Sequence, residues 1–200
     1  MPSFDTDDRI YLDFAAATPM DERVYAAMQP YYTDIFYNPS ALYEGARQAR
    51  AGLEDARGLV ARSVGGRPSE IVFTAGGTES ANLAIHGVMQ QYPDGEVLAS
   101  SIEHEAVLHP AKEYLTNSIP VDTQGVVGSE SIRAMITNKT VLVSVMLVNN
   151  EVGSVQPIQE IAAVVQEERK RRMLTGDSRP IYLHTDACQA PLYMDVNVAR

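Results

Sequence analysis

Two glycines and three hydroxyl residues in Thr74-Ala75-Gly76-Gly77-Thr78-Glu79-Ser80 have the types and spacing needed to hold an anion. Ile71-Val72-Phe73 before them reads as a short strand, and the apolar positions Leu83, Ala84, Ile85, Val88 and Met89 behind them recur at helical spacing. Between the two, glycines let backbone come close to a ligand, the first helical N–H groups have no intrahelical acceptor, and the positive end of the helix dipole favours negative charge. A phosphate is the natural occupant, with Thr78 and Ser80 as further hydroxyl donors. The plainer alternative is a strand-to-helix turn capped by Thr78 or Ser80. Neither a Gly-Lys-Ser/Thr loop nor a G-x-G-x-x-G dinucleotide turn occurs in this stretch. Three further polar clusters stand where apolar runs end: Glu103-His104-Glu105, Asn149-Asn150-Glu151, and Asp186-Ala187-Cys188-Gln189. Taken singly they suit a surface histidine, a turn, and a cap or Asx-turn.

Those clusters must be positioned by the elements between them. Ile10-Tyr11-Leu12-Asp13-Phe14 reads as a first strand and about 21–31 as a helix. The residues from about Leu42 to Val64 read as one long amphipathic helix stopped by Gly65-Gly66. After the glycine turn, a helix to about Gln91 leads to a strand over 96–100. A short helix follows over 106–115, then a weak strand at Ile119-Pro120-Val121 and a helix over 129–136. The run from Thr140 to Val148 is almost continuously apolar, as a strand buried on both faces should be. A helix over 158–173 carries the charge run Glu167 to Arg172, read as a solvated face, and Ile181-Tyr182-Leu183-His184 is the last strand. Alternating strands and helices predict an α/β fold, three layers α/β/α around a mostly parallel sheet. Such sheets bind ligands at the carboxyl ends of their strands, where all four polar clusters fall.

Composition narrows the function. Two hundred residues with 45% hydrophobic content can bury a sizeable core. The longest apolar run is far short of the roughly eighteen residues of a membrane span, and Met1-Pro2-Ser3-Phe4-Asp5 lacks a signal peptide's basic, apolar character. A cytoplasmic protein without a membrane partner is expected. One cysteine excludes an internal disulfide framework, and no Cys/His cluster has zinc spacing, so no metal site is expected. A net charge of −10 argues against direct nucleic-acid binding, though it leaves room for one locally held phosphate.

Phe73-Thr74-Ala75-Gly76-Gly77-Thr78-Glu79-Ser80-Ala81-Asn82-Leu83 resembles the phosphate-binding turn of the class I cysteine desulfurases, pyridoxal-phosphate enzymes of the aminotransferase-like fold. The likeness runs from Tyr11 to about Val198 in the family's order, including the aromatic-Leu-Asp-aromatic start, Asn38-Pro39-Ser40, and the class I form Val148-Asn149-Asn150-Glu151-Val152-Gly153. It implies the cofactor-binding large domain of a fold-type I enzyme, incomplete at the C-terminus, with an N-terminal segment over 1–20 and that domain over 21–200. Pyridoxal 5'-phosphate is the implied cofactor, held by Gly77, Thr78, His104, Asn150, Asp186 and Gln189. Asp186, in a pattern similar to His-x-Asp-Ala-x-Gln, would keep the ring nitrogen protonated so that the ring can accept electrons. Gln189 would donate to the ring's phenolic oxygen. His104 would stack on the ring and move protons, for which a planar group titrating near neutrality is suited. His104 and Asp186 are thus the implied catalytic residues.

By the same resemblance the whole protein takes sulfur from L-cysteine, leaving L-alanine and an enzyme persulfide for iron–sulfur scaffold or tRNA-thiolation proteins, and works as a homodimer. A selenocysteine lyase or another class V enzyme is the alternative, and a degenerate half-domain binding a cofactor or partner is the non-enzymatic one. The family's Schiff-base lysine and nucleophilic cysteine lie beyond the equivalent of Arg200. Lys112, Lys139 and Lys170 do not match the first. Cys188 does not match the second, and is expected to be a small, partly buried residue. The chain therefore resembles a first half, with the missing half or a companion chain as an expected partner.

Overall fold

The computed structural model describes residues 10–198, so the first nine residues of the expected N-terminal segment lie outside it. The described chain falls into two compact units: one takes in everything up to Ile71 together with Asn197 and Val198, and the other is Val72–Val196.

In the first unit, Asp21 caps helix α1 (Glu22–Met28) by accepting the N–H of Arg23 at 2.8 Å. The helix expected over 21–31 breaks at Gln29, because Pro30 has no N–H to continue the ladder and begins a separate turn, α2 (Pro30–Thr33). The long amphipathic helix is α3 (Glu44–Val64), which buries Ala46, Ala49 and Ala61. It ends where Gly65 turns left-handed at φ 71°, a conformation costly for any residue with a Cβ. The N–H of Gly66 then reaches the Ala61 carbonyl at 2.8 Å, satisfying an orphan acceptor. A 3₁₀ turn follows at Pro68–Glu70. The strand expected at 10–14 is absent: Ile10 and Leu12 are more than four-fifths exposed, and the chain turns back at once, Ala16 donating to Asp13. The strand expected at 71–73 is also absent from any sheet among the described residues. Val72 is 67% exposed, and the Ile71 carbonyl accepts from the Arg57 guanidinium rather than from a neighbouring strand.

The second unit is the α/β body. Helix α4 (Gly77–Met89) leads to β1 (Glu96–Ser100), α5 (Glu105–Ala111), β2 (Leu115–Ile119), α6 (Ser129–Met135), β3 (Thr140–Ser144), α7 (Ile158–Thr175) and β4 (Tyr182–His184). All pairings are parallel and the order is β2-β1-β3-β4. β1 and β3 are buried along their whole length, which is why both read as apolar runs. β2 is displaced from the expected Ile119–Val121. It is an edge strand whose Thr116, Asn117 and Ser118 hide it from any search for apolar runs, and Pro120 ends it.

The sheet has a core on each face. One joins Ala81, Ile85 and Met89 of α4 and Val107 and Ala111 of α5 to Val97 and Ala99. The other joins Ile132 of α6 and Ile161, Val164 and Val165 of α7 to Leu98, Ile119 and Val143. Each fully buried branched side chain contributes about 1.5–3 kcal/mol. A register shift opposite Glu96 and Val97 puts Val141 and Leu142 against the same core, a bulge that interrupts the usual alternation.

The charge run on α7 is only partly the solvated face expected of it. Arg172 is 1% exposed; its Nε donates to Glu168 at 2.7 Å and its terminal nitrogens to the carbonyls of Thr137, Arg179 and Pro180. It fastens α7 to the segments that enter β3 and β4. Removing it leaves the Arg179 and Pro180 carbonyls without this donor, while Glu168 keeps the Arg171 guanidinium and Thr137 keeps the Thr140 N–H, so Arg172→Ala should lower unfolding free energy by roughly 2–5 kcal/mol in denaturant titrations. A loss below about 1 kcal/mol would show that water replaces the guanidinium.

Candidate functional site

Parallel strands deliver their carboxyl ends to one edge of the second unit, where three of the sequence-singled segments follow β1, β3 and β4; the Gly76 turn follows no strand of the sheet and is brought beside them by the approach of Gly77 to Cys188. β1 connects onward to β2 on one side, and β3 to β4 on the other, so the connections diverge between β1 and β3 and leave a crevice there.

The Gly76 turn opens α4. Gly76 is extended (φ 165°), offers no side-chain cap, and a Cβ built on it meets nothing within 4 Å. The neighbouring polar groups serve the turn itself: Glu79 accepts the N–H of Ala75 at 2.6 Å, and the Thr74 and Ser80 hydroxyls share a 2.7 Å hydrogen bond. Ser80, read as a ligand donor, is therefore engaged locally. The N–H groups of Gly77 and Thr78 lie in the first helical turn with no intrahelical acceptor, and Thr78 is exposed. A Cβ on Gly77 would stand 3.0 Å from Cys188 Sγ, so the turn after β4 abuts the start of α4.

That turn is organised by Asp186, whose Oδ1 accepts the N–H of Cys188 at 2.9 Å in an Asx-turn. Gln189 is half-buried within it, and the Ala190 N–H closes it onto Ala187. Cys188 is exposed, not the partly buried residue expected. Its thiol is nevertheless pushed up to about 11, first by local burial of the sulfur and then by the Asp186 carboxylate. Behind Asp186, His184 shares a 2.8 Å hydrogen bond with Ser144, and burial lowers its pKa. The Thr185 hydroxyl is buried and has no hydrogen-bond partner.

His104 caps α5: Nδ1 accepts the N–H of Ala106 at 3.1 Å, so the neutral ring carries its proton on Nε2. Its side chain is exposed. Asn150 opens the turn after β3, but the residue that builds the turn is Asn149. The Asn149 amide oxygen accepts from Glu151 and Val152, and its nitrogen donates to the Ile102 carbonyl at 3.0 Å. Sequence reasoning also missed Glu103, which looked like one of two acids flanking a surface histidine. It is 6% exposed; Oε1 accepts from Ser100 Oγ at 2.8 Å and Met146 N–H at 2.6 Å, and Oε2 is buried without a partner. Burial raises its carboxyl to about 7, with the Asp186 charge adding to the rise. No cluster of three or more metal-binding side chains occurs among the described residues, and no helix there is long and apolar enough to cross a membrane.

Residues 10–200 match the family model described as aminotransferase class-V. The chain is 37% identical over 196 residues to a cysteine desulfurase IscS of Dictyoglomus turgidum, covering 94% of this chain and 47% of that protein. Among solved structures, a NifS-like protein superposes with a TM-score of 0.87 at 31% identity, covering 96% of this chain and 52% of its own. A structure of SspA in complex with cysteine does so at 0.87 and 35%, covering 94% and 53%. The chain spans about half the length of the curated relatives it matches.

Two measurements check the electrostatics. Because the folded Glu103 carboxyl binds its proton more tightly than the usual 4.5, its contribution favours folding below that value and is lost as pH rises through about 7. The shift corresponds to roughly 3 kcal/mol, so Glu103→Gln should flatten the fall in stability between pH 4.5 and 8. An unchanged pH profile would mean that Glu103 titrates normally. With so little thiolate, Cys188 should alkylate at pH 7.5 at least ~10-fold more slowly than a free cysteine; equal rates would contradict the raised pKa.

Proposed function

The chain belongs to the class-V aminotransferase family, and from that premise we propose that the complete protein is a pyridoxal-phosphate-dependent cysteine desulfurase. It would convert L-cysteine to L-alanine and pass the sulfur on as an enzyme persulfide, in the cytoplasm and as a homodimer. The observation that carries this reading is the uncapped N-terminus of α4 set against the Asp186 turn, which puts anion-binding amides beside a carboxylate at one sheet edge.

The residues present fit the cofactor. Open space at Gly76, the free amides of Gly77 and Thr78 and the Thr78 hydroxyl suit a phosphate, and the buried, unpartnered Thr185 hydroxyl beside Asp186 suits a polar ligand. Pyridoxal phosphate, when bound, supplies a ring that accepts electrons released at the substrate α-carbon. Asp186 would hold a proton on the ring nitrogen, which a carboxylate does best where water is excluded. Gln189 would donate to the phenolic oxygen, and Asn150 would lie near the substrate carboxylate. His104, its Nδ1 accepting from Ala106, would face the ring with an Nε2–H, a donor able to deliver a proton along the reaction. In the overall transfer the carbon–sulfur bond of cysteine breaks, a sulfur–sulfur bond forms on a protein thiol, and alanine carries away the hydrogen. Cys188, held as a thiol, is unsuited to that attack. Iron–sulfur scaffold or tRNA-thiolation proteins would receive the sulfur.

The test is to supply the product of the complete gene with pyridoxal phosphate, L-cysteine and a thiol reductant. Alanine and sulfide should appear one to one; alanine from selenocysteine alone would assign a selenocysteine lyase, and neither product would leave a binding half-domain. Thr78→Val should weaken cofactor binding by about 1.5–3 kcal/mol, seen in a spectroscopic titration. Unchanged affinity would remove Thr78 from the phosphate site. Asp186→Ala should cut turnover by about 100-fold or more while changing cofactor affinity less, since it would stabilise charge that develops during the reaction; normal turnover would rule that role out.

A further inference from the structure

Glu103 lies at the divergence of β1 and β3, and its contacts are those of a missing strand residue. β1 leaves the sheet at Ser100, with the N–H of Ser101 pairing to Ile119 of β2 and that of Glu103 turning back to the Ser100 carbonyl. β3 ends its ladder at Ser144, yet the chain beyond it stays buried through Met146. Successive amides there alternate sides. Those of Val145 and Leu147 donate to the carbonyls of His184 and Asp186, at 3.1 and 2.8 Å, on the β4 side. The amide of Met146 faces the β1 side, where it meets the Glu103 carboxyl at 2.6 Å instead of a strand carbonyl. Asn149 Nδ2 adds a second tie between the same two segments, to the Ile102 carbonyl. A continuous path therefore runs from His104, through Glu103, Met146 and Leu147, to Asp186.

We propose that Glu103 is a positioning residue: its carboxyl acts as the last rung between β1 and β3 and sets the spacing of His104 from Asp186 across the crevice. The proposal rests on the reading of that crevice as the cofactor site, but the strand tie can be tested without the cofactor. Only Oε1 is used in the tie, and Oε2 is buried without a partner, so a neutral group with one acceptor oxygen suffices. Glutamine supplies that oxygen. Methionine fills a similar volume without an acceptor, leaving the Ser100 hydroxyl and the Met146 amide unpaired.

The experiment compares Glu103→Gln and Glu103→Met in the product of the complete gene by two readouts: amide hydrogen exchange in the protein stripped of cofactor, and spectroscopic titration with pyridoxal phosphate. Glu103→Gln should stay within about threefold of the parent in both. Glu103→Met should speed exchange at Met146 and also at Leu147, the amide that holds Asp186, by at least ~10-fold, and weaken cofactor binding by at least ~10-fold. Exchange confined to Met146, or cofactor affinity equal in the two variants, would overturn the proposal. A parent that binds no pyridoxal phosphate would defeat the cofactor reading, and the Leu147 exchange would then decide the strand tie alone. If Glu103→Met does not fold, Glu103→Asp, one methylene too short to reach Met146, takes its place in the comparison with the same expected outcomes.

Discussion

The parallel pairing of β1 with β3 is the constraint on which the rest of the second unit depends. Two strands buried on both faces have no water to satisfy their backbone, so every amide and carbonyl along them must find a protein partner. Within the ladder the two strands satisfy each other; at its end they diverge and cannot. The solutions adopted there, a carboxyl from Glu103 and an amide from Asn149, are side chains inserted where backbone runs out. The opposite edge is closed by the same logic, with Arg172 donating to three carbonyls and Glu96 accepting from Asn117, Thr137 and Thr140. Polar residues are thus buried at both ends of an apolar sheet, at the one price of full hydrogen bonding for nearly all of them.

This arrangement separates stability from chemistry. The helices and both cores secure the middle of the sheet, while the carboxyl edge carries exposed glycines, His104 and the Asp186 turn. An α-helix that begins without a cap gives up a stabilising bond of about 1 kcal/mol. α4 makes up part of that deficit through Glu79, which reaches back to Ala75, and leaves its first amides available. The Asp186 turn likewise satisfies its own backbone first, through Cys188, and presents its carboxylate from a fixed loop.

The sequence made the middle of the fold easy to read and its edges hard. Val97 to Ala99 and Val141 to Val143 are recognisable because burial on both faces demands apolar residues throughout. β2 obeys no such demand, and Ile71 to Phe73 shows the converse: β-branched and aromatic residues in extended chain that join no sheet among the described residues. Pattern likewise cannot say which of two adjacent asparagines turns inward, and Asn149, not Asn150, makes the bonds that shape the loop. Glu103 and Arg172 were hidden in charged company. Their burial is decided by backbone groups left over elsewhere in the fold, which no local window contains. Asp186 was legible both as a turn-former and as a ligand partner, and the first of these roles is the one its geometry displays: an Asx-turn onto Cys188.

The close approach of Gly77 to Cys188 couples two positions that are remote in sequence. With only 3.0 Å between the sulfur and the place where a Cβ would stand, bulk at either position is limited by the other. The two should therefore covary as homologues diverge. A side chain with a Cβ at 77 is open only to lineages in which residue 188 is smaller than cysteine or the start of α4 shifts, and such a shift would carry the first amides of that helix with it. Residue 188 is in this sense a spacer, whose size gauges how near the helix begins to the last strand.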